Sequence, residues 1–142
     1  MKKSITSIKQ AFTPLAQANG LTPVFVIEES STISRLKDKN NVLVVAYPRF
    51  GRTGKQDNPT YQAAMSIWVL QKALTGNVTD NQEDDQMEEL LQKTETLLDS
   101  MEDDADNGGC SFFSQIKFDT IEITPEYRTF GSFNGWWVEF ML

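Results

Sequence analysis

The chain closes on Asn134-Gly135-Trp136-Trp137-Val138-Glu139-Phe140-Met141-Leu142. Two adjacent indoles, a Phe and a Leu this close to an end make sense only in a packed segment, because a frayed end would leave them in water. Glu139 falls where a strand with one wetter face carries a polar residue. The segment therefore predicts a strand sealed into a sheet, at a central position, tying residues 1–142 into a single domain. A chain of this length can bury a core of its own.

Periodicity extends the pattern upstream. Ile5, Ile8, Phe12 and Leu15 recur at helical spacing and predict an amphipathic helix over 4–18, kinked or ended by Pro14 and stopped by Asn19-Gly20. Val24–Ile27 reads as a short strand, and 28–41 as a polar connection. The unbroken apolar run Val42–Tyr47 predicts a strand covered on both faces, ended by Pro48. Two glycines and Pro59 make residues 48–60 a long, mobile hairpin loop. From Tyr61 to Leu70 the chain alternates, with Tyr61, Ala63, Met65, Ile67 and Val69 on one face and Gln62, Ala64, Ser66, Trp68 and Leu70 on the other. That is a strand returning antiparallel to the one before it.

After a polar link over 76–82, Met87, Leu90, Leu91, Leu97, Leu98 and Met101 mark the clearest helix. Asp84 and Asp85 suit the positive end of its dipole, while Glu88, Gln92, Glu95, Asp99 and Glu102 cover its outer side. Asn107-Gly108-Gly109 breaks it. The phase change between Ile116/Phe118 and Ile121/Ile123 predicts a bulge near Asp119-Thr120 or an element boundary. Pro125 is read as starting a turn, and Gly131 and Gly135 as flanking a second one. The class is α+β: a mostly antiparallel sheet of about four to five strands packed against an N-terminal helix and a long acidic amphipathic helix.

Composition narrows function by exclusion. The chain has no histidine, so the commonest general base and zinc ligand are missing. Of its 20 acids, eleven lie within 83–106 against the single base Lys93, leaving nine acids against twelve of the 13 bases elsewhere. The net charge of −7 thus belongs to one segment, and broad nucleic-acid binding through a basic face is disfavoured. Cys110 is the only cysteine, which excludes an internal disulfide and suits a reducing compartment. Lys2 and Lys3 precede no apolar run, and no stretch approaches the roughly 18 apolar residues of a membrane span. A cytoplasmic product with no membrane partner is expected.

Local motifs fail as sites of chemistry. Gly51-Arg-Thr-Gly54-Lys55 has two residues between its glycines where a phosphate-binding loop needs four, and Gln56 follows the lysine. Arg49, Arg52 and Lys55 read instead as a basic arm, either solvated or reaching an acidic neighbour. Asp103, Asp104, Asp106 and Gly108 miss the calcium-loop spacing and read as a solvated helix end. Asp84-Asp85 and Glu88-Glu89 read as solubilising carboxylates, and Cys110 as a small apolar residue near a turn. No catalytic, cofactor or metal residue is predicted, and the chain is read as a non-enzyme. Trp68, Trp136, Trp137, Phe112, Phe113, Phe130 and Phe133 belong either to the core or to a subunit interface. Trp68, with small neighbours in phase, is the best interface candidate.

The order of elements resembles the tail-terminator proteins of long-tailed bacteriophages, and similarly built neck and tail-completion proteins. It runs from an amphipathic helix through the buried strand Val42–Tyr47, the long loop, the strand Tyr61–Leu70 and an acidic link (Asn77–Asp85) into a helix. It closes on Gly135-Trp136-Trp137-Val138-Glu139-Phe140. The resemblance implies a homo-oligomer, a hexameric ring that caps the tail tube and joins it to the head connector, with DNA passing through its lumen. It also implies a place in the tail or neck of the virion and brings no catalytic residue. Arg49, Arg52 and Lys55 of one copy are then expected to meet the acidic helix of the next through Glu88, Glu95 and Asp99, with Trp68 at the interface. The alternatives are a head-closure or tail-completion neck protein, or an acidic adaptor or inhibitor of a basic partner.

Overall fold

A computed structural model describes residues 5–27, 31–108 and 112–142. Cys110 and Gly109 lie outside them, as does the side chain of Ile5. The fold is α+β, with a six-stranded, mostly antiparallel sheet among the described residues.

Helix α1 spans Ile5–Ala18; Pro14 lies inside it and does not end it. The Asn19 side chain donates to the Leu15 carbonyl at 2.8 Å, and the Leu21 N–H closes onto Ala16 O at 2.9 Å. These bonds occupy carbonyls that the last turn leaves without helical partners. Strand β1 is Thr22–Val26, and the expected loop after it contains a short helix, α2, over Thr32–Leu36. This crossover lets β2 (Val42–Ala46) run parallel to β1, as a parallel pair requires.

The loop expected over 48–60 is a β-ribbon. Strand β3 (Arg49–Lys55) turns at Gln56-Asp57 and returns as β4, Asn58–Lys72, with Lys55 opposite Asn58. A Cβ at Gly54 would come within 2.7 Å of Asn58 O, so the close approach at this turn needs glycine.

Helix α3 spans Asp80–Asp106, starting ahead of the expected link's end. Thr79 caps it: Gln82 N–H donates to the Thr79 hydroxyl at 3.2 Å, and Thr79 N–H donates to the Gln82 side chain at 2.9 Å. A short 3₁₀ turn (Phe113–Gln115) leads into β5 (Lys117–Thr129) and then β6 (Phe133–Met141). The strand order is β1-β2-β4-β6-β5, with β3 paired to β4 alone. The Trp-Trp strand is therefore interior, between β4 and β5.

The ladder of β5 slips between Lys117 and Glu122, which is the bulge predicted near Asp119-Thr120. Thr120 holds it, its hydroxyl donating to Lys117 O at 2.6 Å and accepting from Met141 N–H at 2.9 Å. Pro125 makes no turn; it lies within β5, opposite Trp136, and an edge strand tolerates the lost donor. The turn expected between Gly131 and Gly135 falls at 130–132, and Gly135 itself pairs with Leu70 inside the sheet.

Alternation along the strands sorts the core into two layers. Leu43, Val45, Met65, Ile67, Val69, Val138 and Phe140 face α1 and α3. Val42, Val44, Trp68, Leu70 and Phe133 face the other way, with Val24, Val26 and Leu36. From α1, Phe12 meets Phe112 and Phe113 edge-on, at 5.6 and 5.2 Å between ring centroids. The buried stripe of α3 is Gln86, Leu90, Thr94, Leu97 and Met101.

Gln86, only 5% exposed, pins the N-terminal end of α3 to the sheet. It donates to Gln71 Oε1 and Lys72 O, both at 2.9 Å, and accepts from Asn134 Nδ2 at 3.0 Å. Trp136 adds an indole N–H to Met87 O at 2.8 Å. Such bonds matter because an unpaired buried polar group costs about 1–3 kcal/mol.

Candidate interaction surfaces

The ribbon is built by a mismatch of strand lengths. Strand β6 stops pairing with β4 at Ala64, and β2 stops at Ile67. Leu142 N–H still donates to Ala63 O at 2.9 Å, so residues 58–62 of β4 carry β3 alone, a two-strand projection of about 17 Å at the usual rise per residue. Every residue of β3 is exposed. Arg49, Arg52 and Lys55 are thus brought together on one arm, as the sequence predicts, though on a strand and not on a loop.

Cross-strand register sets the ribbon's faces. Phe50 stands opposite Ala63 and Arg52 opposite Tyr61, so Phe50, Arg52 and Tyr61 share one face. Phe50 is 50% exposed and Tyr61 44%. The Arg52 guanidinium sits over the Tyr61 ring, 5.8 Å from its centroid, which holds the cation at the aromatic surface. Phe50 was not singled out by sequence periodicity, because a loop reading gives its residues no face; Tyr61 lies in β4 two residues from Ala63, on the face that alternation assigns to it.

The carboxylates Glu88, Glu95 and Asp99 are exposed on α3, away from its buried stripe. Gln86 fixes the start of this helix at Gln71, Lys72 and Asn134. That is the opposite end of β4 from the ribbon's root at Ala64, about 20 Å away along the strand. One chain does not bring Glu88 and the ribbon together.

Trp68, expected at an interface, is covered within the single chain. It is 2% exposed, stacked on Trp137 at 6.1 Å with planes 8° apart, and meets Phe130 edge-on at 5.4 Å. Its small neighbours Ala64 and Ser66 lie toward the ribbon's root, whereas Trp68 itself lies under the second apolar layer. Phe112, Phe113 and Phe133 are also buried, and Trp136, Trp137 and Phe130 pack against the two layers. The indole N–H groups of Trp68 and Trp137, and the hydroxyl of Thr32, are buried with no hydrogen-bond partner among the described residues.

A cleft of about 530 Å³ opens beside the ribbon's root. Ala64, Phe140 and Met141 belong to it, with Ile121 and the acids Asp119, Glu122 and Glu139. Glu122 and Glu139 are direct cross-strand partners, a like-charge pairing that disfavours the isolated sheet. A shallower hollow of about 250 Å³, lined by Arg49, Phe50, Gly51 and Gln62, shares Ala64 and Met141 with it. Sequence reasoning missed these acids because the bulge hides their register; only Glu139, a lone charge in the closing apolar run, signals them.

Gly51 and Gly54 lie in β3 and precede no helix, so they form no phosphate-binding turn. Asp103, Asp104 and Asp106 form the last turn of α3. Among the described residues no group of three or more acids, cysteines or histidines is placed to hold a metal, and no helix is long and apolar enough to cross a membrane. No family model matches the chain, and no curated protein or solved structure is found to be similar to it.

Proposed function

We propose that this chain is a structural assembly protein, a tail terminator whose copies close into a ring on the tail tube of a long-tailed phage and join it to the head connector. The role is mechanical and involves no catalytic residue. The observation that carries the proposal is the ribbon: two strands that leave the sheet unsupported, bearing Phe50, Tyr61 and three cations in full view. A two-stranded hairpin is marginal by itself in water, and exposed aromatics flanked by charge are the composition of contact surfaces. The chain also segregates its charge, with Arg49, Arg52 and Lys55 on the exposed ribbon and most of its acids along α3, so unlike surfaces of two copies attract each other. A heterologous contact of that kind closes into a ring when its rotation divides the circle. A predominantly acidic molecule also suits a lumen through which DNA passes without sticking.

Light scattering tests this directly. At tens of micromolar and about 0.05 M salt, the protein is expected to exceed its monomer mass of 16.1 kDa several-fold. Near 0.5 M salt, where the screening length falls well below the roughly 10 Å of 0.1 M, the mass should drop. Arg49→Glu with Arg52→Glu should give a folded monomer in both. A wild-type chain that stays monomeric at every concentration, alone and with tail tubes, overturns the reading.

A further inference from the structure

We infer that the ribbon of one copy docks in the cleft between the β5 bulge and the end of β6 on a second copy, and not on the outer face of α3. The inference rests on the reading that copies of this chain associate, and it names the surface that receives the arm. The outer face of α3 offers only charge: Glu88, Glu95 and Asp99 are exposed along a convex helix. Ion pairs made there are worth about 0–1 kcal/mol each and leave Phe50 and Tyr61 in water. The cleft offers both things the arm needs. Its apolar part is the half-buried Ala64, Ile121 and Met141, which can cover an aromatic ring. Its rim is Asp119, Glu122 and Glu139, acids that match Arg52 and Lys55.

The cleft also has a reason of its own to take up a cation. Glu122 and Glu139 stand opposite each other across the β5–β6 ladder, and their repulsion is relieved by a guanidinium or ammonium placed between them. Beside the cleft the chain itself places Arg49, in the adjoining hollow at the root of the ribbon, and Lys117, opposite Met141 at the start of β5. Arg52 and Lys55 lie further out, on the projecting part. They reach such a rim only on another molecule. The field of α3 then acts at longer range, drawing the basic arm in before contact.

Charge exchange separates the possibilities. Asp119→Lys with Glu122→Lys, and separately Arg52→Glu with Lys55→Glu, should each give monomers at low salt where the wild type associates. The chain carrying all four substitutions has the wild-type net charge and should recover the assembly. Ala64→Phe fills the cleft without changing charge and should also release monomers, which covers the case in which the bulge variant misfolds. Wild-type assembly by either cleft variant, or failure of the fourfold variant to recover, overturns the cleft as acceptor. If the ribbon variants alone disrupt assembly, the ring reading stands and this inference falls. If the wild type forms only a dimer that both sets of variants break, the cleft stands and the ring falls. A wild type that never associates removes both.

Discussion

Gly135 is where the fold tolerates least. A Cβ there would overlap the carbonyl oxygen of Val69 and come within 2.9 Å of Leu70 Cα, both backbone atoms of β4. Neither neighbour can swing aside as a side chain could. Gly135→Ala is therefore expected to lower stability by about 3 kcal/mol, the upper end for overpacking, read as a fall in the urea midpoint. An unchanged midpoint would mean that β4 and β6 do not pair in this register. The sequence presents Gly135 only as a breaker beside another glycine, since the close approach comes from a strand 65 positions away (Leu70 to Gly135). Gln86 is illegible for the same reason. It is a polar residue on an apolar stripe, and its partners on β4 and β6 become neighbours only in the fold. By contrast, the two faces of β4 were readable one residue at a time, because alternation along a strand is a local property.

Elements were legible in proportion to their length. Helices α1 and α3 announce themselves by apolar spacing, and β2 by an unbroken apolar run. Helix α2 has five residues, too few for a periodic pattern to emerge. The true start of α3 was available in Thr79-x-x-Gln82, a capping box that a run of polar residues disguises as a link. The ribbon was missed because Gly51 and Gly54 read as loop, whereas the glycine at 54 serves a tight turn between paired strands. Its independence from the core gives a clean prediction. Phe50 and Ala63 are cross-strand partners, so a two-residue Asn-Gly turn can join them in place of residues 51–62. The shortened protein should keep cooperative thermal unfolding, with stability changed by less than about 1 kcal/mol, and should lose self-association. Loss of cooperative unfolding would mean that the ribbon belongs to the core.

Across the whole molecule, class and layering follow from the sequence, and topology does so only in part. The central place of the Trp-Trp strand was readable from its apolarity, since a strand flanked on both sides and covered on both faces has little room for charge. The parallel pairing of β1 with β2 was not, because it depends on where the crossover packs. Charge segregation was visible in the chain, but its spatial meaning was not: which acids line a concave surface depends on a three-residue slip in β5. One consequence concerns light. All three indoles lie on β4 and β6, and two of them are stacked, so ultraviolet emission from this protein senses the sheet interior and is blind to the arm. Docking through the ribbon should leave the emission maximum where it was, while parting β4 from β6 should shift it to the red. A fluorimeter thus distinguishes a copy that has gained a neighbour from one that has lost its shape.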